Sequence, residues 1–188
     1  MENPKTFSAI SLGCPKNLVD TEVILGLLKD AGYEVIFDSD EADIIIINTC
    51  AFIKSAVEES KTVIREELKK RFASSGKKIV VAGCLVQRYG DELLREFPDI
   101  ACLVAPGEIN KICNLLNISR KFSPETSEFI YSHNTPRLLT TLNFTAYIKI
   151  ADGCNNGCSY CLIPKLRGRF RSRPIEDIVQ EVEKLASS

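Results

Sequence analysis

The stretch Ala42-Asp-Ile-Ile-Ile-Ile-Asn-Thr-Cys50 decides the fold, because four consecutive isoleucines stand at its centre. An apolar run without alternating polar residues is typical of a strand covered on both faces, as strands in a parallel sheet are. Similar strand patterns occur at residues 7–12, 33–37, 78–82 and 101–104. Helical periodicity separates most of these strands. The sequence therefore predicts βαβ units and a doubly wound parallel sheet of the α/β class over residues 1–118.

The first helix of this layer is predicted to follow the first strand closely. Apolar residues recur at helical spacing between residues 18 and 31, and Gly32 ends the pattern. Asn17 stands directly before the helix and is of a type that caps helix N-termini. We therefore expect Asn17 to be the N-cap.

The rest of the chain reads as a linker and the beginning of a second domain. Residues 119–143 are polar and are predicted to be a linker, and residues 144–150 have the pattern of a strand. Pro174, followed by two acidic residues, is typical of a helix start, and the apolar stripe of that helix is expected to be buried. A (β/α) barrel takes about 200 residues or more. Residues 144–188 are thus predicted to be the start of a truncated barrel.

The composition limits which binding partners and which cellular compartment are expected. The 188 residues carry a formal net charge of −1, so no overall electrostatic attraction draws the protein to nucleic acid or membrane. The N-terminus lacks a signal-like hydrophobic stretch, and the run of four isoleucines is far too short to cross a bilayer. We expect a cytoplasmic protein without a membrane partner, in which clustered cysteines bind metal more often than they pair.

Three cysteines are packed into the segment Cys154-Asn-Asn-Gly-Cys158-Ser-Tyr-Cys161, with the pattern C-x3-C-x2-C. A closed zinc site takes four protein ligands, whereas three neighbouring thiolates suit a [4Fe–4S] cluster with one iron left open for a small ligand. The alternative is a zinc site completed by a distant ligand. His133, the only histidine, is the available imidazole, although its polar surroundings favour an exposed loop residue.

A second trio, Cys14, Cys50 and Cys84, is dispersed in sequence, but each member follows a predicted strand. If those strands are parallel, their carboxyl ends share one edge of the sheet, where open α/β sheets bind ligands. The spacing therefore predicts a second three-cysteine metal site. The alternative is that these cysteines only pack in the interior, as buried free cysteines commonly do. Cys102 and Cys113 lie in apolar segments and are assigned to packing.

The C-x3-C-x2-C pattern and its flanks, at residues 151–154, 167–168 and 172–174, resemble the radical S-adenosylmethionine (SAM) enzymes. With the second trio, they resemble the methylthiotransferases of that superfamily. The segment Ser-Leu-Gly-Cys-Pro-Lys-Asn-Leu-Val-Asp-Thr-Glu, residues 11–22, and Tyr-Ile-Lys-Ile, residues 147–150, are similar to the RimO branch. The tRNA-modifying MiaB branch usually has Gln-Met-Asn where this chain has Pro-Lys-Asn.

The resemblance implies a transferase with SAM and two [4Fe–4S] clusters as cofactors. It implies one cluster that chelates SAM and cleaves it to a radical, held by Cys154, Cys158 and Cys161. It implies another that presents the sulfur for insertion, held by Cys14, Cys50 and Cys84. Tyr160 occupies the position whose ring lies near the adenine of SAM in the family.

The implied substrate is an aspartate of ribosomal small-subunit protein twelve, which gains a methylthio group on its β-carbon, and an electron-donor protein is an implied partner. Two alternatives stay open: a tRNA adenosine methylthiotransferase of the MiaB branch, and a non-catalytic module that binds an iron–sulfur cluster or zinc. As a truncated piece, the chain alone is expected to be inactive.

A basic run without acidic residues follows the cysteine-rich loop, at Lys165, Arg167, Arg169, Arg171 and Arg173. Extended, it would form a positive stripe with an interleaved aromatic residue, a pattern found in RNA-binding surfaces. The alternative, which we favour, is that these arginines bind loops of the barrel or the acidic helix that follows them.

Overall fold

The computed structural model describes residues 5–73, 76–116 and 129–187. Its centre is a parallel sheet with the strand order β2-β1-β3-β4-β5. The strands are β1 (Thr6–Ser11), β2 (Glu34–Val35), β3 (Ile44–Thr49), β4 (Lys78–Gly83) and β5 (Cys102–Val104). The order reverses direction between β1 and β3, so the loops after these two strands leave toward opposite faces and open a crevice at the carboxyl edge.

Helices cover both faces of the sheet, as predicted for a doubly wound α/β layer. They are α1 (Pro15–Asp30), α2 (Lys54–Ala73), α3 (Cys84–Glu96) and α4 (Ile112–Leu116), the last preceded by a 3₁₀ segment (Pro106–Lys111). Side chains alternate between the two faces along a strand. Ile44 and Ile46 therefore pack on the side of α1 and α4, and Ile45 and Ile47 on the side of α2 and α3. All six residues of β3 are buried, which is the physical reason for the isoleucine run.

The start of α1 differs from the prediction. The helix begins at Pro15, and Cys14 is the N-cap residue, with extended backbone. Asn17 was wrongly expected to be the cap, because it lies inside the first turn and is fully buried. Proline at the first helical position needs no backbone N–H partner, so the sequence Cys-Pro sets the helix start three residues earlier.

The second region holds β6 (Ala151–Asp152), α5 (Ile163–Arg167), β7 (Arg171–Ser172) and α6 (Ile175–Ala186). The predicted strand at residues 144–150 is wrong, since these residues have no strand geometry and β6, which pairs antiparallel with β7, begins at Ala151. The helix after Pro174 is confirmed. Its stripe is not buried by the described residues, because Ile175 is 74% exposed and Val179 is 46% exposed.

Residues 129–143 pack against the first layer, where the amide of Leu138 donates to the carbonyl oxygen of Glu22 in α1 at 2.9 Å. Residues 117–128 lie outside the described part, so the divisions at 118 and 143 stay predictions. Within the described ranges, no helix combines the length and the apolarity needed to cross a membrane.

Candidate functional site

The dispersed trio lies at the carboxyl edge of the sheet. Cys14 follows β1 at the N-cap of α1, Cys50 directly follows β3, and Cys84 opens α3 directly after β4. These three strands are adjacent and parallel, so the predicted convergence at one edge is confirmed. Cys14 is exposed, whereas Cys50 and Cys84 are buried. The first two cysteines border the crevice at the strand-order reversal, where solvent reaches the sheet edge.

Two glycines allow the loops of this edge to approach one another. A Cβ atom at Gly13 would lie 2.6 Å from Cys50 Cβ, so residues 13 and 50 are in direct contact across the crevice. Gly83 has φ +94°, and a Cβ there would overlap the side-chain oxygen of Asn48 and lie 2.5 Å from the carbonyl oxygen of Thr49. Only glycine fits this combination of positive φ and close backbone approach.

Asn17 links the loops behind the cysteines. Its side-chain Nδ2 donates to the carbonyl oxygens of Leu12 and Thr49, both at 2.9 Å. Its Oδ1 lies 4.0 Å from the Cys84 sulfur and accepts a 2.6 Å hydrogen bond from Arg167 Nη2. A buried amide with both ends satisfied holds the ends of β1 and β3 in one arrangement.

A buried network of charges lies beside this edge and joins it to the second region. Arg167 Nη1 contacts Asp20 Oδ2 at 2.6 Å and Asp152 Oδ2 at 3.2 Å, and Lys149 Nζ contacts Asp20 Oδ1 at 2.5 Å. The half-exposed Lys16 reaches Asp152 Oδ1 at 3.4 Å. Buried charges are tolerated when they are paired in this way.

The network acts on the pKa values of Asp152 and Cys84. Burial alone would raise the pKa of Asp152, but Lys149, Arg167 and Lys16 outweigh it and hold that pKa at about 2. Burial raises the pKa of the Cys84 thiol, while the positive charge of Arg167 and a hydrogen bond from its side chain oppose the rise. Arg167 is therefore the cation that favours the thiolate of Cys84.

The local trio lies on the loop between β6 and α5. Gly153 has φ +76°, and a Cβ there would overlap the Arg169 carbonyl and lie 2.6 Å from the Gly168 carbonyl oxygen. The amide of Cys154 donates to that Gly168 oxygen at 3.1 Å, and the amide of Asn156 faces the Cys154 sulfur at 3.5 Å. Cys154 and Cys161 are half-buried, and Cys158 is exposed.

A cleft of about 500 Å³ opens beside this loop, and Cys154, Asn155, Gly157, Pro164 and Arg169 are among the residues that line it. The amide of Phe170 donates to Asn155 Oδ1 at 3.0 Å, which joins the loop to the approach of β7. Tyr160 is 85% exposed, so its ring is available to a ligand at this loop.

All eight cysteines are free thiols, so both trios offer three soft sulfur donors, the ligand type of iron–sulfur clusters. The positive charge beside Cys84 also suits an anionic thiolate cluster. Among the residues that the structure describes, no three His, Cys, Asp or Glu side chains are arranged around a single metal position. The assignment of each trio to a cluster therefore stays a prediction. Cys102 is buried in β5, and Cys113 is half-buried in α4, as packing residues are.

Two members of the basic run, Arg167 and Arg173, form ion pairs within the protein. Arg167 is buried in the network described above, and Arg173 is 3% exposed and contacts Asp177 and Glu181 of α6. The expected pairing with the acidic helix is therefore observed, which removes two cations from the hypothetical RNA-binding stripe. His133 is half-buried rather than exposed, since its Nδ1 lies 2.6 Å from Asp177 Oδ1.

Sequence reasoning missed the network behind the cysteines. Asp20 and Asn17 face inward from α1, whose apolar pattern gave no sign of buried polar side chains. The only available signal was the departure from periodicity in the first turns of α1, where Asn17, Asp20, Thr21 and Glu22 are all buried. Asn17, Asp20 and Glu22 each have a partner more than one hundred residues away along the chain.

Comparisons with known proteins agree with this geometry. A sequence model of the family described as "Uncharacterized protein family UPF0004" matches residues 6–105, and the "Radical SAM superfamily" model matches residues 148–188. Two similar relatives are both named "Ribosomal protein uS12 methylthiotransferase RimO". The one from Clostridioides difficile (strain 630) is 47% identical over 184 residues, which cover 95% of this chain and 41% of the relative. The one from Desulforamulus reducens is 47% identical over 181 residues, which cover 94% of this chain and 41% of the relative.

The chain thus spans about two fifths of the length of these curated relatives. A similar solved structure is the "Cobalamin-dependent S-adenosylmethionine radical enzyme OxsB", determined with aqua-cobalamin and S-adenosylmethionine bound. Its TM-score is 0.54 at 13% identity, over 97% of this chain and 31% of that chain, so the likeness concerns the fold alone. The resemblance to the RimO branch is confirmed by the relatives. Because the first model covers more than half of the residues, the chain belongs to the family described as UPF0004.

Proposed function

We propose that this chain is the cluster-bearing part of a methylthiotransferase that adds a methylthio group to the β-carbon of an aspartate in ribosomal small-subunit protein twelve. The observation that carries the proposal is the 47% identity to two relatives with that activity in their name, over nearly the whole chain. In this proposal, residues 1–118 form the sulfur-presenting domain, residues 119–143 the linker and residues 144–188 the start of the radical SAM barrel.

In the same proposal, Cys14, Cys50 and Cys84 hold one [4Fe–4S] cluster at the sheet edge. Cys154, Cys158 and Cys161 hold the other in the loop after β6. Bound there, the two clusters supply the electron that cleaves SAM and the sulfur that is inserted. Tyr160 is proposed to contact the adenine of SAM, and its exposed ring is compatible with that role.

The protein's own residues hold the two loops in place. Asn17 joins the ends of β1 and β3, so the sheet-edge sulfurs are presented from backbone that is already hydrogen-bonded. Gly153 brings the other loop against Gly168 and Arg169, which precede β7. Positioned loops of this kind reduce the reorganisation that a reacting complex requires. The protein partners in this proposal are the ribosomal substrate and an electron donor, in the cytoplasm.

Iron analysis tests the cluster assignment. The anaerobically reconstituted chain is expected to bind about eight iron atoms with matching sulfide, as two cubes require. Replacing Cys154, Cys158 and Cys161 with Ala is expected to halve that content, whereas Cys113→Ala, the matched control in α4, leaves it unchanged. Zinc in place of iron, or equal iron in the triple variant, would contradict the assignment.

Mass spectrometry tests the activity. In a chimera, residues 1–188 replace the matching segment of the Clostridioides difficile relative, and the protein is offered SAM, a reductant and either the ribosomal protein or tRNA. We expect a methylthio group on the aspartate of the ribosomal protein, and no product with Cys158→Ala in the same chimera. A methylthio group on tRNA alone would favour the MiaB branch and refute the proposed substrate.

A further inference from the structure

The short helix after the second cysteine loop reaches into the first region. α5 begins two residues after Cys161, and its Leu166 is 5% exposed and packs into the core between the sheet and α2 and α3. The next residue, Arg167, is also buried, with a side chain that is 3% exposed. Arg167, which follows the Cys154–Cys161 loop, is therefore buried among the residues that surround the other cysteine trio.

The position of the Arg167 guanidinium is determined by three acceptors. Nη2 donates to Asn17 Oδ1 at 2.6 Å, and Nη1 contacts Asp20 Oδ2 at 2.6 Å and Asp152 Oδ2 at 3.2 Å. The same Asn17 oxygen lies 4.0 Å from the Cys84 sulfur, so the guanidinium and this sulfur share one neighbouring atom. The planar fork of arginine suits such a fixed, multidentate arrangement better than an ammonium does.

The charges in this network do not cancel. Three cations (Arg167, Lys149 and Lys16) share two carboxylate partners (Asp20 and Asp152). The surplus positive charge falls on the half-exposed Lys16, whereas the buried Arg167 and Lys149 balance the buried Asp20 and Asp152. The sulfur of Cys84 is the adjacent group that becomes an anion when it binds iron.

We propose that Arg167 is a positioning residue shared by both cysteine sites: it sets the electrostatic field at the sheet-edge site and links that site to the Cys154–Cys161 loop. The inference rests on the proposed function, because it assumes a cluster at Cys14, Cys50 and Cys84. A fixed cation beside a cluster favours the added electron, since reduction makes the cluster more negative. Arg167 also fixes the Asn17 oxygen that lies 4.0 Å from the Cys84 sulfur.

The experiment isolates the sheet-edge cluster. The chain with Cys154, Cys158 and Cys161 all replaced by Ala is reconstituted anaerobically, and the reduction potential is measured by titration followed with electron paramagnetic resonance. In that background, Arg167→Gln is expected to shift the potential to a more negative value. Iron loss to a chelator is expected to become about 10-fold faster, the size of effect seen when a group behind a metal ligand is removed. Arg167→Lys retains the charge and is expected to restore most of the potential.

Two further variants provide controls. Arg173→Gln removes an equally buried arginine with two carboxylate partners in α6, and it is expected to leave the potential unchanged. Asp20→Asn removes a negative charge behind Arg167 and is expected to shift the potential to a more positive value. If Arg167→Gln does not fold, the double variant Asp20→Asn/Arg167→Gln takes its place, because it removes both charges of the 2.6 Å pair. This double variant is still expected to shift the potential negatively, because the guanidinium is hydrogen-bonded to the Asn17 oxygen that lies 4.0 Å from the Cys84 sulfur.

The outcomes separate the two proposals. Suppose that the parent triple variant binds iron and that Arg167→Gln and Arg173→Gln have the same reduction potential. This result would overturn the role of Arg167 and leave the proposed function intact. A shift of the same sign in Asp20→Asn and Arg167→Gln would overturn it as well. A parent that binds no iron would refute the proposed sheet-edge cluster, and the inference with it.

Discussion

The two cysteine trios are built in opposite ways. At the sheet edge, three cysteines separated by more than thirty residues in sequence are brought to one edge by adjacent parallel strands. In the second region, three cysteines lie within eight residues, on a loop that follows a two-residue strand. One geometry depends on the register of a whole sheet, and the other on a short antiparallel ladder.

The two sites are stabilised by different parts of the fold. The sheet edge is backed by cores on both faces, so its loops are disrupted only when the layer unfolds. The loop trio has little core of its own and is held by Gly153, by Leu166 and by ion pairs to α1. Local opening of this loop should therefore cost less free energy than unfolding of the sheet.

The largest effect is expected for a change that breaks the sheet edge. Gly83→Ala places a Cβ against Asn48 and Thr49 at a positive φ, so strain and overlap together are expected to cost about 4 kcal/mol of unfolding free energy. Urea unfolding of the chain measures it. Gly157→Ala is the control, because nothing lies within 4 Å of its added Cβ. A loss of less than about 1 kcal/mol for Gly83→Ala would refute the structural role of this edge.

The next effect concerns the join between the regions. Arg137 Nη2 contacts Glu22 of α1 at 2.6 Å, and its Nη1 contacts Glu181 of α6 at 2.7 Å, with all three side chains at least nine-tenths buried. Arg137→Met leaves both carboxylates without this cation and is expected to cost about 3 kcal/mol in urea unfolding. Lys61→Met, which breaks the surface pair with Glu96, is expected to cost under about 1 kcal/mol. Equal losses would show that burial does not distinguish the two pairs.

A smaller, local effect tests the independence of the loop trio. Gly153→Ala is expected to strain the β6–β7 ladder and lower its opening free energy by about 2 kcal/mol, or about 30-fold in hydrogen exchange. The amides of Cys154 and Arg173 report on this opening, because they donate to Gly168 and Ile150. Exchange in β3 should stay unchanged. Faster exchange in β3 would show that the two regions open together.

The smallest effect is a dependence on pH in the second region. Burial alone would raise the pKa of Asp177, but hydrogen bonds from His133 and Arg173 outweigh it and hold that pKa at about 2. A lowered pKa stabilises the fold above the unfolded-state value near 4, and this contribution is lost as the pH falls through about 2. Asp177→Asn should cost about 1 kcal/mol at pH 7, after allowance for screening by water, and much less at pH 2, where about half of the Asp177 carboxyl groups are protonated.

The control for that prediction is Glu176→Gln, which changes an exposed carboxylate in the same turn of α6. Its effect on unfolding should stay below that of Asp177→Asn at pH 7, because the Glu176 side chain is exposed. If the two variants show the same pH profile, the contacts with His133 and Arg173 do not lower the pKa of Asp177.

Much of the fold followed from local pattern. The isoleucine run predicted a two-sided strand because only a sheet covered on both faces accepts four adjacent apolar side chains, and β3 is buried throughout. The convergence of Cys14, Cys50 and Cys84 followed from the geometry of parallel strands. The strand at residues 144–150 failed because strand formation requires a partner, and pattern alone does not supply one.

By itself, the sequence determined the parallel layer, the two cysteine trios and the membership of a family, since these depend on periodicity, spacing and similarity along the chain. Only the tertiary structure decided that Asn17 cross-links the strand ends and that Arg167 leaves the basic run to lie beside Cys84. The physical reason is that a buried polar side chain is stable only with its partners. Those partners, Asp20 for Arg167 among them, come from segments that meet only when the whole chain has folded.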